Sequence, residues 1–86
     1  DFVLKQNYPN PFNPETKISF SLNKKSNVTL KVFDLTGKEI ATLFNGVKNA
    51  GSYDVKFNGA NLASGAYFYK LESEDFSDVK KMMLIK

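Results

Sequence analysis

The alternation of apolar and polar residues along the chain predicts short β-strands. Apolar side chains occupy every second position in residues 18–22 and 53–57, a period of two that indicates strands with one buried face. The other apolar segments are equally short and lie between turn-forming residues. The predicted strands are residues 2–4, 18–22, 28–33, 38–44, 53–57, 66–73 and 76–85.

Turn-forming residues separate these strands. Residues 34–37 (Asp-Leu-Thr-Gly) suit a type I turn in which Gly37 takes a positive φ and leads into an antiparallel partner strand. Residues 38–44 break strict alternation, and a β-bulge near Ala41-Thr42 would reconcile them. Residues 45–51 are predicted as a loop. The register of residues 76–85 is ambiguous, since apolar side chains occur on both faces.

No segment shows the 3.6-residue period of an amphipathic helix over a useful length. About seven short strands, with turns roughly every eight to twelve residues, are typical of an antiparallel sandwich. We therefore predict an all-β fold, an immunoglobulin-like antiparallel β-sandwich of about seven strands, in one domain of residues 1–86. The predicted core is Ile18, Phe20, Leu22, Val28, Leu30, Val32, Ile40, Leu43, Tyr53, Val55, Phe57, Tyr67, Tyr69, Leu71 and Leu84.

All three prolines lie in one segment, residues 7–14. Each proline restricts its own φ, lacks an amide donor, and pushes the preceding residue toward an extended conformation. The segment is therefore predicted to be stiff and extended, and neither a helix nor a central strand. We call residues 1–16 the strap and residues 17–86 the body. We expect the strap to follow the edge of the sandwich, with Phe12 at least partly buried and Tyr8 as a second anchor.

The composition of the chain mainly excludes classes of function. The 86 residues include no His or Cys, their twelve basic residues are all Lys, and the formal net charge is +3. Without His or Cys, the commonest general base, thiol nucleophiles and disulfides are missing. Without Arg, the bidentate contacts to phosphate and guanine are missing as well. We therefore predict no enzyme activity, no cofactor and no nucleic-acid partner.

The spacing of the carboxylates and the length of the apolar segments lead to two further predictions of absence. Asp34, Asp54, Asp75 and Asp78 are scattered and lack the spacing of a calcium loop, so we predict no metal site. We expect these side chains to form turns and surface charge. No apolar run approaches about 18 residues, so we predict no membrane-spanning segment.

Three phenylalanines fall on the outward faces of the predicted strands, namely Phe33, Phe44 and Phe68. A row of exposed aromatic rings could bind sugars or a partner protein. The alternative is that these rings pack under the strap or across sheet edges. We favour this alternative because a small domain uses its aromatic side chains for packing.

Three blocks of the sequence resemble a known family. The first is residues 6–16 (QNYPNPFNPET), the second residues 32–40 (VFDLTGKEI), and the third residues 62–71 (LASGAYFYKL), running on to Lys80-Lys81-Met82. With these blocks the chain resembles the type A C-terminal sorting domain of the type IX secretion system, found on secreted proteins of the Bacteroidetes and related phyla. The first and third blocks are specific, whereas the second alone would be weak.

The resemblance implies a function. It implies a folded immunoglobulin-like tag on a larger cargo protein, which enters the periplasm through a signal peptide and is exported across the outer membrane to the cell surface or the medium. The implied partners are the outer-membrane translocon, a sortase-like peptidase in relatives whose tag is removed, and the N-terminal cargo domain of the same chain. Because Asp1-Phe2-Val3 lacks an initiator Met, we expect the chain to be a piece of a longer protein, and because Lys86 directly follows a predicted strand, we expect it to be the C-terminal piece.

The resemblance also assigns roles to residues. The implied export signal is Lys80, Lys81, Met82, Leu84 and Lys86. The residues that match the family's structural motifs are Asn7, Pro9, Asn10, Pro11, Phe12, Asn13, Pro14, Gly37, Gly51, Ser64, Gly65 and Tyr67. Adjacent residues of a strand point to opposite faces, so at least one of Lys80 and Lys81 should be exposed. We also expect the last strand to be a free edge to which a translocon component could add a strand.

Two other functions remain open. The chain could be an accessory immunoglobulin-like module of a secreted hydrolase that binds carbohydrate or braces a neighbouring domain, which exposed aromatic residues on a flat face would favour. It could also be a structural spacer. Titration with polysaccharides tests the first alternative, and cargo export after deletion of the domain tests the second.

Overall fold

Seven β-strands make up the computed structural model, which describes residues 2–86. They are β1 (Val3–Leu4), β2 (Glu15–Leu22), β3 (Ser26–Phe33), β4 (Glu39–Lys48), β5 (Gly51–Asn58), β6 (Gly65–Glu72) and β7 (Ser77–Leu84). In β2, β3 and β6 every second side chain is buried. The alternation of apolar and polar residues in the sequence reflects this burial, since one face of each strand packs inward and the other faces solvent.

The strands form two antiparallel sheets. The three-stranded sheet has the order β1-β2-β5, and the four-stranded sheet has the order β4-β3-β6-β7. β1 contacts β7, so these two edge strands lie on the same side of the sandwich, and β4 and β5 are the other two edge strands. The predicted immunoglobulin-like antiparallel sandwich is confirmed, with no helix within residues 2–86.

The core lies between the two sheets, and most of the predicted core residues belong to it. Leu4 and Met82 are buried as well, although the predicted core does not include them. The buried hydrophobic residues are Leu4, Phe12, Ile18, Phe20, Leu22, Val28, Leu30, Val32, Phe57, Tyr67, Tyr69, Leu71, Met82 and Leu84.

Four predicted core residues are only half-buried, and their prediction is wrong in that respect: Ile40, Leu43, Tyr53 and Val55. They lie on β4 and β5, which are edge strands and therefore have a neighbouring strand on one side only. These side chains pack against the margin of the core. The Lys48 ammonium covers that margin, 4.1 Å from the centroid of the Phe44 ring and 4.4 Å from that of Tyr53.

The turn after β3 forms as predicted. Gly37 has a φ of 87°, and its amide donates to the Asp34 carbonyl at 3.0 Å. The Asp34 carboxylate accepts hydrogen bonds from the Thr36 hydroxyl and from the Lys38 and Thr36 amides. These bonds stabilise the charged form and lower the pKa of Asp34 from its ordinary value.

β4 is longer than its prediction. Its register against β3 shifts twice, once on each side of Ala41-Thr42, where the sequence predicts a single bulge. The strand then continues through residues 45–48, so the loop prediction for these residues is wrong. Asn45 and Val47 pair with β3, and this pairing overrides the turn preference of the Asn45-Gly46 dipeptide.

Candidate functional site

The strap closes the outer side of β7. The Phe12 amide donates to the Met83 carbonyl, and the Ile85 amide donates to the Phe12 carbonyl, each at 2.9 Å. These two bonds form a parallel bridge between Phe12 and Leu84. The prediction of a free last edge is therefore wrong for the C-terminal half of β7, since another strand cannot bond where the strap already does.

Two polar side chains of the strap bond to the same edge. The Asn10 Oδ1 atom accepts from the Met83 amide at 3.0 Å. The Gln6 Nε2 atom donates to the Lys81 carbonyl at 2.7 Å. The N-terminal and C-terminal segments of the domain thus form one bonded surface, which we call the seam and define as residues 6–12 with residues 81–85.

Phe12 anchors the seam in the core, as predicted. Its side chain is 1% exposed and meets Phe57 edge-on, with ring centroids 6.1 Å apart. Gly59 leaves room for this packing, because a Cβ there would lie 3.3 Å from Phe12 Cε2 and 3.0 Å from Leu84 Cδ2. The sequence does not single out Gly59, since the Asn58-Gly59 dipeptide has the composition of an ordinary turn.

Asn7 is the polar centre of the strap, and Thr16 is buried beside it. The Asn7 Nδ2 atom donates to Thr16 Oγ1 at 2.9 Å and to the Pro9 carbonyl at 3.1 Å. The Thr16 hydroxyl donates to the same carbonyl at 2.8 Å, and Asn7 Oδ1 accepts from Gln6 Nε2 at 2.8 Å. Because a buried amide without partners is costly, these bonds explain why an Asn is suited to position 7.

Tyr69 connects the strap to the four-stranded sheet. Its hydroxyl donates to the Lys5 carbonyl and accepts from the Asn7 amide, each at 2.7 Å. Burial raises the pKa of Tyr69 to about 12, against a smaller lowering effect of the Asn7 amide and with a further small increase from Asp78. The sequence predicts Tyr69 as a core residue, whereas the bonding role of its hydroxyl appears only in the fold.

The stability of the domain should therefore fall at high pH. Below about pH 10, Tyr69 keeps its proton in both the folded and the unfolded state. Above that pH the unfolded chain releases the proton first, whereas the folded state holds it up to about pH 12, so the free energy of unfolding decreases across this window. The expected loss is roughly 2 kcal/mol, since one pKa unit corresponds to about 1.4 kcal/mol.

Thermal unfolding of the parent and of Tyr69→Phe, each at about pH 9 and about pH 11.5, measures this effect. The two proteins differ only at position 69, so the difference between the two losses isolates Tyr69. The parent should lose more stability than the variant. Equal losses would show that Tyr69 does not cause the pH dependence.

The five predicted signal residues divide into two groups. Met82 and Leu84 are 0% and 1% exposed, so they face the core and their side chains cannot contact a partner of the folded domain. Lys81 and Lys86 are exposed, and Lys80 is half-buried. The fold thereby resolves the ambiguous register, with even-numbered residues of β7 inward and odd-numbered residues outward.

The charged signal residues also differ in their contacts. Lys86 is tied to the loop before β6, since its amide donates to Ser64 Oγ at 3.1 Å and its ammonium donates to the Ala60 carbonyl at 2.5 Å. Lys80 and Lys81 form no ion pair with a carboxylate within residues 2–86. Neither charge is neutralised within these residues, and Lys81 is the exposed member of the pair, as the strand geometry predicts.

The other motif residues shape turns and the ends of strands. The Tyr67 hydroxyl donates to the Ala63 carbonyl at 2.6 Å and closes the loop before β6. Gly65 and Gly51 begin β6 and β5 with φ values of 149° and 148°, which side chains rarely allow. The Pro14 carbonyl accepts from the Gly59 amide at 2.8 Å. The exposed motif residues of the strap are Pro9, Asn10, Pro11 and Asn13.

The three phenylalanines predicted to face outward differ in how they pack. Phe33 and Phe68 are paired across β3 and β6 on the outer face of the four-stranded sheet. Both are half-buried and neither belongs to the core cluster, so the expectation that they pack under the strap or across an edge is wrong for this pair. Phe44, on the edge strand β4, does pack against the core.

Side chains that could perform chemistry do not gather at the seam. Residues 2–86 contain no group of three or more acidic, His or Cys side chains placed to hold a metal ion. The same part of the chain has no helix long and apolar enough to cross a membrane. What the seam offers a partner is its shape and the charge of Lys81.

Comparison with known proteins gives these features a context. Residues 6–86 match a family described as the secretion system C-terminal sorting domain. A solved structure of PorZ, described as an essential bacterial surface component of the type IX secretion system of Porphyromonas gingivalis, is similar in fold, with a TM-score of 0.62 and 23% identity. That match covers 94% of this chain but only 11% of the PorZ chain. No curated protein matched the sequence.

Proposed function

The chain belongs to the family of secretion system C-terminal sorting domains, and on that premise we propose that the export machinery recognises it as a folded domain. Membership of this family means export by the type IX system across the outer membrane, to the cell surface or the medium. The family is one of sorting signals and not an enzymatic family. We propose the outer-membrane translocon as the reader, and a sortase-like peptidase as the partner where the tag is removed from its cargo.

One observation carries the proposal of folded recognition: part of the implied signal is inside the core. Met82 and Leu84 are fully buried in the sandwich. To read their side chains directly, a partner would have to extract them, and each buried side chain of this size contributes about 2–5 kcal/mol to folding. The folded domain instead presents Lys81 and the rest of the outward face of β7, held in place by the seam.

Changing Lys80 and Lys81 together to alanine should weaken export and leave the domain folded. Lys81 is exposed, Lys80 is half-buried, and neither forms an ion pair within residues 2–86. Each charge should therefore contribute less than about 1 kcal/mol to folding, and the thermal midpoint should stay near that of the parent. A loss of about 1.4 kcal/mol of binding would reduce recognition about tenfold. The measurement uses residues 1–86 fused behind a fluorescent reporter with a signal peptide, in a host that has the type IX system.

The matched control is another adjacent lysine pair, Lys24 and Lys25, changed to alanine in the same fusion. Both lysines are exposed in the turn before β3, and Lys24 pairs with the exposed Asp75 at 3.3 Å. This control therefore tests the loss of two charges together with one exposed ion pair, which contributes little to folding. Export of the Lys24/Lys25 variant should equal that of the parent. If the folded Lys80/Lys81 variant is exported equally well, the signal lies elsewhere, and the strap is the next segment to test.

A second candidate function is that of an accessory module that binds carbohydrate or braces a neighbouring domain. The observation that favours carbohydrate binding is the pair of half-buried rings, Phe33 and Phe68, on an outer sheet face. Titration with polysaccharides separates the two functions. Saturable binding that is lost in Phe68→Ala would support the accessory module, and absence of binding would leave the sorting signal as the better function.

A further inference from the structure

We infer that the outer face of the four-stranded sheet is the docking surface for a protein partner that presents a carboxylate flanked by apolar side chains. This inference rests on the proposed function and adds to it the surface and the chemistry of the partner. We call the surface the outer patch. It consists of Phe33, Ala66, Phe68, Val79, Lys81 and Met83.

The register of three strands assembles the outer patch. Phe33 of β3 is opposite Phe68 of β6, and Phe68 is opposite Lys81 of β7, so these three side chains form one row across the sheet. Met83 lies opposite Ala66 and extends the patch toward the end of β7. Neighbouring strands lie about 4.8 Å apart and residues on one face about 7 Å apart, so the patch measures about 10 by 14 Å.

Apolar surface in the outer patch is exposed to solvent. Val79 is 49% exposed and Met83 is 37% exposed. Phe33, Ala66 and Phe68 beside them are half-buried, and none of the three belongs to the core cluster. Single exposed apolar residues are common on any protein, whereas a contiguous group of them indicates an interaction site.

Charge identifies the chemistry of the partner. On this face of the sheet, Lys31 pairs with Glu39 at 3.0 Å and Lys70 pairs with Glu72 at 3.6 Å. Lys81 forms no such pair within the part of the chain that the structure describes. Lys81 is exposed beside apolar residues of the patch and has no counter-charge there. A docked partner would displace water from the patch, so its carboxylate would be less screened from the Lys81 ammonium than on an open surface.

A protein carboxylate suits this site better than a phosphate-rich ligand. A lipid or nucleic-acid surface is usually bound by several cations or by the forked donors of Arg. On this face Lys31 and Lys70 are paired with carboxylates, which leaves one unpaired Lys and no Arg within the part of the chain that the structure describes. The remaining surface of the patch is made of aromatic, thioether and aliphatic groups, which pack against apolar side chains. The fitting occupant is therefore a protein segment with an Asp or Glu between apolar residues.

The seam holds the outer patch in place. Strap residues bond to the backbone of Lys81 and Met83 at the edge of β7, and the side chains of these same two residues contribute to the patch. Because the row across β3, β6 and β7 exists only after the strands pair, an unfolded tag cannot present it. The outer patch is thus the surface at which a partner would recognise the folded domain.

Two pairs of variants in the reporter fusion test the outer patch. Phe68→Gln and Met83→Gln place an amide within it. The control variants, Val3→Gln and Val47→Gln, change apolar residues that are 42% and 59% exposed outside the patch, on the three-stranded sheet and at the far end of β4. The patch variants should be exported about tenfold less than the parent, and the control variants should be exported like the parent. Thermal unfolding of each purified domain establishes that it is folded.

Photo-cross-linking tests the same surface in the otherwise unchanged chain. A photoreactive phenylalanine analogue at position 68 should cross-link to an identified component of the secretion machinery, and the same analogue at position 47 should not. An adduct with a lipid or a polysaccharide in place of a protein would overturn the inference.

The export results distinguish the two proposals. If the Lys80/Lys81 variant is exported poorly but both patch variants are exported like Val3→Gln and Val47→Gln, the outer patch is not the docking surface, although folded recognition stands. If the parent fusion itself is not exported, the proposed function fails and the inference fails with it.

Discussion

Replacing Phe12 with alanine should lower the free energy of unfolding by about 3–5 kcal/mol, the usual cost of truncating a buried phenylalanine. The ring is 1% exposed and packs against Phe57, and the backbone of Phe12 bonds to Met83 and Ile85. Loss of the ring should therefore also loosen the strap from β7. For a chain of 86 residues, whose total stability is of the order of 4–13 kcal/mol, this change removes a large share.

Urea denaturation of the parent and of Phe12→Ala measures this loss. Tyr8→Ala is the matched control, because Tyr8 is an aromatic residue of the same strap but is 78% exposed. That control should change stability by less than about 0.5 kcal/mol. Hydrogen exchange at the Ile85 amide reports the strap directly and should become faster in Phe12→Ala. An unchanged urea midpoint in Phe12→Ala would mean that the strap is not part of the fold.

Deleting residues 80–86 should unfold the domain. The deletion removes Met82 and Leu84, which are buried, and it also removes the backbone groups to which the strap bonds. Each buried side chain contributes about 2–5 kcal/mol, so the combined loss is comparable to the whole stability of a domain of this size. Changing Lys80 and Lys81 alone to alanine leaves these contacts in place.

Circular dichroism during thermal unfolding distinguishes these two variants. The truncated domain should show no cooperative transition, whereas the Lys80/Lys81 variant should unfold near the parent's midpoint. A cooperative transition of the truncated domain close to that midpoint would contradict the structural role of residues 80–86. If the prediction holds, poor export of a truncated cargo reflects loss of the fold as much as loss of a signal.

Local chemistry in the sequence was sufficient to predict much of the fold. The turn at Asp34 and Gly37 forms as expected because its hydrogen bonds join neighbouring residues. β2 and the centre of β5 were predictable because their alternation is clean and their turns are short. The motif of the strap, with Phe12 between prolines, was sufficient to predict a stiff segment with one buried anchor.

Contacts between distant residues decided what the sequence left open or predicted wrongly. Apolar residues occur on both faces of β7, so alternation alone could not show that Met82 and Leu84 face the core while Lys81 and Met83 face outward. The free edge predicted for β7 is closed because Phe12 bonds to residues more than seventy positions away. Gly59 was not recognisable because its role depends on how closely Phe12 and Leu84 pack beside it.

By itself, the sequence determined the β-sandwich, the strap and the family, since these depend on periodicity and on residues that are neighbours in the chain. Only the tertiary structure decided which signal residues a partner can reach. Pairing of β3, β6 and β7 brings Phe33, Phe68 and Lys81 into one row. Burial of Met82 and Leu84 removes two implied signal residues from the surface. Strand order, and burial in a strand with apolar residues on both faces, depend on the whole chain, and no local pattern encodes them.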